Sequence, residues 1–334
     1  HNLKFWRNKM KKQLLIAAVA ATMGTAAMAD ISISGNGKYV YTNTDISTGE
    51  AATTANAGTT EINLAIDGKN GDTQAHLEFE IVESGTSDTG SDDNHNKIDV
   101  EDQWISTKIG SVNVKMGNWD GSKSANTGEI IDNARSGNKV SVSTTVQGVK
   151  LGYWNTPGVG SSDGFTIGGT VSGVNIGIKE SPNSYTDVMV SGELAGVTYR
   201  FDHYDSDTAD ADADYATASY AINGVTITGV HAKANKGDVF TETDGVFGTE
   251  MDLEEYDVEE ASAIKVAADL AGNAVSIQAG VRKESSGEDN DFTKLVVSRA
   301  LASGVNAIGT YITTDDVNAT TDRNIFKAEL NVSF

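Results

Sequence analysis

"NIFKAELNVSF", Asn324 to Phe334, closes the chain. Phe326, Ala328, Leu330, Val332 and Phe334 alternate there with Lys327, Glu329, Asn331 and Ser333. Alternation with a period of two is the pattern of a strand with two unlike faces, because successive side chains point to opposite sides of the pleat. Chain ends usually fray into polar residues. Here the last residue is an aromatic in phase with the apolar face, so the terminal strand reads as a structural part of the fold.

The same period recurs upstream, and helical spacing does not. "ISISGNGKYVY" sets Ile31, Ile33, Tyr39 and Tyr41 on one face. "EINLAIDG" does so with Ile62, Leu64 and Ile66, and "QAHLEFEI" with Ala75, Leu77, Phe79 and Ile81. "SVNVKMGN" places Val112, Val114 and Met116 opposite Asn113 and Lys115, and "VTYRFDHY" places Val197, Tyr199 and Phe201 opposite Thr198, Arg200 and Asp202.

Connections come in two alternating sizes. Eight are short and carry turn residues: Gly68 to Gly71, Gly110-Ser111, Gln147-Gly148, Ser172-Gly173, Leu194 to Gly196, Asn223-Gly224, Ala271 to Asn273 and Ala302 to Gly304. Such sequences make tight hairpins. Between them lie longer polar stretches, among them "TNTDISTGEAATTANAGTT" (Thr42 to Thr60), "SGTSDTGSDDNHNK" (Ser84 to Lys97) and "DSDTADADAD" (Asp205 to Asp214), read as loops. Short turns on one side and long loops on the other describe a transmembrane antiparallel β-barrel. Eight turns with both termini on the turn side give nine strands in each direction, hence 18; a single misread hairpin gives 16. The soluble alternative is a secreted β-sandwich or solenoid. It is disfavoured because Lys, Arg, Asp and Glu occupy the non-apolar face in mid-strand, which suits a wet lumen better than a packed core.

The other end of the chain agrees. "MKKQLLIAAVAATMGTAAMA", Met10 to Ala29, has a basic start, a short apolar centre and a small-x-small end at Ala27-Met28-Ala29. This is the pattern of a secretory signal peptide, too short and Ala-rich for a membrane anchor. Residues 1–9 read as upstream sequence, and residues 30–334 as one barrel domain. Removing residues 1–29 takes away Lys4, Arg7, Lys9, Lys11 and Lys12 and no acid, so the formal charge moves from -22 to -22 − 5 = -27. That charge repels phosphate backbones and disfavours nucleic acid as a partner. The absence of Cys excludes a disulfide framework and a thiolate zinc site.

Three stretches, taken in order, carry a resemblance. "DISISGNGKYVY" directly after the cleavage site is similar to the first strand of the general bacterial porins, the trimeric outer-membrane porins of Gram-negative bacteria. "EDQWISTKIGSVNVKMGNWDG", Glu101 to Gly121, resembles their fourth and fifth strands leading into the third loop. The alternation ending in Phe334 resembles their last strand. The resemblance spans essentially residues 30–334. It implies residence in the cell outer membrane, with lipid and lipopolysaccharide around the barrel and a homotrimeric assembly. It also implies a last strand that pairs with the first, and recognition of Phe334, with Val332 and Leu330, by the barrel-assembly machinery. The implied function is passive diffusion of small hydrophilic solutes and ions, with no cofactor.

In such porins the third loop narrows the pore. The matching stretch is Asn118 to Gly137, and its acids Asp120, Glu129 and Asp132 are the constriction candidates. Strand parity sends Lys38, Lys115, Lys139, Arg200, Lys265, Arg282 and Lys327 to the lumen, together with Glu78, Glu80, Asp202 and Glu329. A charge on the lipid face costs about 2–4 kcal/mol at mid-bilayer, which enforces that parity there. A basic wall opposite an acidic loop resembles the transverse field of a porin constriction. With the acidic mouths it gives an expectation of modest cation selectivity.

Competing chemistry is thin. The histidines of residues 30–334 are His76, His95, His203 and His231, and no HxxxH or HExxH pair occurs. No Ser-His-Asp set stands out. The alternatives are a barrel serving mainly as adhesin or structural anchor, and a barrel hydrolase. The Asp-rich stretches offer oxygen ligands for Ca²⁺, but neither matches an EF-hand loop, and the expected number of metal sites is none.

Overall fold

The computed structural model describes residues 30–48, 51–84, 97–119, 138–157, 162–207, 211–235, 258–284, 289–316 and 321–334. They form one closed antiparallel sheet of 18 strands, each hydrogen-bonded to its neighbours in sequence. The strands are β1 (Asp30–Thr48), β2 (Ala51–Asn70), β3 (Thr73–Ser84), β4 (Lys97–Ile109), β5 (Val112–Asn118), β6 (Lys139–Val146), β7 (Val149–Thr156), β8 (Ser162–Val171) and β9 (Val174–Ser181). The second half is β10 (Tyr185–Leu194), β11 (Val197–Ser206), β12 (Ala211–Ile222), β13 (Val225–Ala234), β14 (Val258–Leu270), β15 (Asn273–Glu284), β16 (Asp289–Ala302), β17 (Val305–Asp316) and β18 (Thr321–Ser333). The count of 18, favoured from the turns, is the one observed.

All eight expected hairpin turns are present. Five have left-handed φ at both central residues, as at Asn223 (50°) and Gly224 (79°). That geometry matches the right-handed twist of the flanking strands and selects Gly at the second position.

The barrel closes through β1 and β18, in register from Asn36 opposite Ser333 to Thr48 opposite Thr321. Phe334 extends this ladder. Its N–H donates to the carbonyl of Gly35 at 3.0 Å, and the N–H of Gly35 donates to the Phe334 carbonyl at 2.9 Å. The Phe334 ring lies over Gly35, where a Cβ would come within 2.8 Å of it. The chain therefore ends on an aromatic that covers a glycine of the first strand. Closure removes the open edge that would otherwise leave backbone donors unpaired in lipid.

Ile33, Tyr39, Ile105, Met116, Ile264, Ile277, Leu295, Phe326 and Leu330 are all exposed and share one parity within their strands. On a closed barrel this is the outward face, and it forms the apolar belt that a lipid bilayer requires. Aromatics mark both rims of the belt: Tyr199 and Tyr220 near the short turns, Tyr311 paired with Phe326 toward the other end.

Two stretches expected as loops are largely strand. In Thr42 to Thr60 only residues 49 and 50 lie between β1 and β2, which stay in register out to Thr48 opposite Ala51. In Asp205 to Asp214, β11 runs to Ser206 and β12 starts at Ala211. Polar composition suggested loops, but a strand that rises past the bilayer can carry polar residues on both faces. Tyr41 and Asn43 both donate to Oδ1 of Asn56 there, at 2.7 and 2.9 Å. Most of Ser84 to Lys97 lies outside the described residues.

Candidate functional site

The face opposite the apolar belt lines the lumen. Lys38, Lys115, Lys139, Arg200, Lys265, Arg282 and Lys327 all occupy it, on β1, β5, β6, β11, β14, β15 and β18 respectively. They are spread around the circumference and do not form a single basic wall. Some are matched locally: Lys38 bridges Glu61 at 2.7 Å, and Arg200 bridges Asp202 at 2.9 Å through its Nε. Asp202 is fully buried. Glu329 accepts a hydrogen bond from Asn331 at 2.6 Å. Asp120, Glu129 and Asp132 lie outside the described residues.

The structure brings together a sector on β2 to β6. Asp67, His76 and Trp104 are register partners across β2, β3 and β4. His76 stacks on the Trp104 indole with centroids 5.1 Å apart and planes 17° from parallel. From the other flanking strand, Lys115 places its Nζ 4.1 Å from the Trp104 ring centroid. The same ammonium lies 4.5 Å from Trp119, which also receives Lys139 at 5.4 Å. Cation–π contacts of this kind contribute about 0.5–1 kcal/mol each when exposed and more when desolvated. They hold two lumen lysines against the wall.

One irregularity shapes this sector. Between β3 and β4 the register shifts between Leu77 and Phe79, so that Glu78 faces both Glu101 and Asp102. Two residues opposite one is a β-bulge, which re-aims side chains. Ile98 and Val100 face outward on one side of it, and Ile105 and Ile109 on the other. The extra residue turns Asp102 into the lumen beside Glu78 and His76. Close backbone packing fits here too. Gly117, with φ of 135°, approaches Trp104 so closely that a Cβ would stand 2.6 Å from the Trp104 Cα.

The far side of the lumen differs. Ala213 and Tyr215 on β12, Val230 and Ala232 on β13, Ala261 and Ala263 on β14 and Phe292 on β16 form a buried inward-facing apolar cluster. Beside it Lys179 lies 5.5 Å from the Tyr185 ring centroid, and Asp187 is buried on β10. Parity alone did not announce this sector. In "ADADYATASY" the acids Asp212 and Asp214 share the outward face of β12, and Asp214 accepts from His203 at 2.8 Å. The inward positions are the alanines and Tyr215. The lumen therefore has a mixed charged arc and an apolar arc. Sequence reasoning missed Trp104, Trp119, Lys179 and the alanine cluster; the available signal was the phase of "ADAD", with acids in step with outward Phe201 across the ladder.

No protein-family model matches the sequence, and no curated protein does. Solved structures do match the fold. OccAB4 of Acinetobacter baumannii superposes with a TM-score of 0.67 at 8% identity, covering 91% of this chain and 98% of that one. OccK9 (OpdG) of Pseudomonas aeruginosa gives 0.68 at 10%, covering 91% and 99%. A BenF-like porin from Pseudomonas fluorescens Pf-5 gives 0.67 at 11%, covering 91% and 99%. At such identities the likeness is one of fold: the chain shares the closed 18-stranded antiparallel barrel architecture of these outer-membrane porins.

Proposed function

We propose that this barrel is a channel of the outer membrane through which small hydrophilic solutes and ions diffuse passively, with a modest preference for cations. The observation that carries the reading is the charged arc on β1 to β6, where Lys38, Glu61, Glu78, Asp102, Lys115 and Lys139 all line the lumen. Fixed charges of both signs in a pore order water and admit polar solutes while penalising apolar ones. The formal charge of -22 for the whole chain favours cations at the mouths. Wall lysines oppose that preference inside, and screening over about 8 Å at physiological salt limits the reach of outlying acids. The expected outcome is modest selectivity that grows as salt is lowered.

Planar-bilayer recording tests the reading. Stepwise conductance, with a reversal potential of cation sign across a KCl gradient at two ionic strengths, is the expected result. A barrel that inserts but never conducts would support the anchor or adhesin reading instead. A clear anion preference at both salts would mean that the lysines dominate.

The same proposal includes export through residues 10–29, checked by N-terminal sequencing that begins at Asp30. It includes a homotrimer in lipopolysaccharide-containing membrane, checked by light scattering of detergent-extracted protein. It also includes recognition of Phe334, Val332 and Leu330 by the barrel-assembly machinery. All three side chains lie on the outward face of the closing strand, exposed to such a partner.

A further inference from the structure

We propose that the bulge between β3 and β4 builds a lumen-wall site for a borderline divalent transition-metal ion of the zinc class, held by His76 Nε2, Glu78 and Asp102 and oriented by Asp67. One ligand atom from each of the three first-named residues lies within 4.8 Å of the other two. The proposal needs only the folded barrel and is independent of the channel reading.

The imidazole is the informative group. Its Nδ1 lies 2.7 Å from Oδ1 of Asp67. A carboxylate at that nitrogen holds the proton there and directs the lone pair of Nε2 outward, as second-shell carboxylates do for metal-bound histidines. The ring is fixed a second time by its stack on Trp104. Nε2 then faces Oε2 of Glu78 at 3.5 Å. That is long for a hydrogen bond, whose N···O distance is about 2.7–3.2 Å. It fits two ligands of one tetrahedral ion: bonds of about 2.0–2.2 Å set ligand atoms roughly 3.3–3.6 Å apart. Asp102 completes the set from the bulge and needs a modest rotation, or one bridging water, to reach the same ion.

Charge points the same way. Asp67, Glu78, Glu101 and Asp102 converge on one stretch of wall, and a bound dication offsets their mutual repulsion. Lys115 attracts Asp102 electrostatically, so the ion competes with an ammonium for that carboxylate. The donor set selects among cations. One imidazole with two carboxylates suits Zn²⁺, Ni²⁺ or Cu²⁺, whereas Ca²⁺ and Mg²⁺ prefer all-oxygen shells.

Equilibrium dialysis of tag-free barrel in detergent against Zn²⁺, with Ca²⁺ in large excess, tests the assignment. The wild type should take up one saturable, Ca²⁺-resistant equivalent. His76→Gln should abolish that step. Asp67→Asn, which removes only the orienting carboxylate, should weaken it by about 10–100-fold. His231→Gln, whose imidazole sits on the outward face against Ser262, should leave it unchanged. Heat-modifiable migration confirms that each variant is folded, and Glu78→Gln replaces His76→Gln if the latter does not fold. A wild type without a Ca²⁺-resistant step, or equal uptake by folded His76→Gln, overturns the proposal.

Discussion

Replacing Gly35 by Ala tests the closure of the barrel at the point where the first and last strands meet. Two physical effects oppose each other there. Glycine inside a strand costs about 0.5–1 kcal/mol relative to alanine, because it loses more backbone freedom on folding. Propensity therefore favours Gly35→Ala. Packing opposes it: the new methyl would sit 2.6 Å from the Asn63 carbonyl oxygen and 2.8 and 2.9 Å from two atoms of the Phe334 ring. The ring can swing aside, but the Asn63 oxygen belongs to the neighbouring ladder and cannot. Overpacking of this type costs about 1–3 kcal/mol, so the variant should lose about 1–2 kcal/mol net. Gly37 is the control, two residues on and on the same face, where a methyl would meet only Ile62 Cγ1 at 4.0 Å. Gly37→Ala should be neutral or slightly stabilising. Urea unfolding of refolded barrel in detergent micelles, followed by tryptophan fluorescence, reads both. Combining Gly35→Ala with Phe334→Ala should recover part of the loss, because the ring contact is gone while the Asn63 contact remains. If Gly35→Ala is as stable as Gly37→Ala, the Phe334–Gly35 contact does not limit closure and the argument fails.

Three further outcomes are expected. Phe334→Asp, or deletion of Phe334, should lower the amount of heat-modifiable barrel in the outer membrane while export continues; normal levels would count against a role in assembly. Lys115→Gln with Lys139→Gln removes two lumen charges that lie over Trp119, so the reversal potential should move toward cations, and an unchanged value would place both lysines away from the ion path. Asp120→Asn, Glu129→Asn and Asp132→Asn together should move it toward anions, and no shift would remove this stretch from the selectivity argument.

The sequence by itself determined the barrel. Alternation such as that of Phe326 to Phe334 is a local property, fixed by the pleat and by the cost of charge in lipid, so it is readable without neighbours. The turns are local too, since Asn223-Gly224 or Ala271-Gly272 announces its hairpin through the φ it must adopt. Counting them gave the strand number, and parity along single strands pointed Lys38, Lys115 and Lys139 away from the apolar face, while Lys179 went unnoticed. Where strands leave the bilayer the lipid penalty vanishes, so polar residues can occupy the outward face and hydropathy no longer separates strand from loop. That is why Thr42 to Thr60 and Asp205 to Asp214 read as loops although strands occupy most of both.

Only the tertiary structure decided what meets across the ladder. Asp67, His76 and Asp102 are scattered in sequence, and no motif links them. They converge because β2, β3 and β4 pair in one register and because a single extra residue in β4 turns Asp102 inward. Lys115 and Lys139 share Trp119 for the same reason, and the alanines of β12, β13 and β14 become one apolar arc only when their strands are side by side. Gly35 and Phe334 stand at opposite ends of the barrel sequence, yet closure makes them neighbours. Pattern along a strand is set by the backbone and the solvent on each face; contact between strands is set by register, which no single strand encodes.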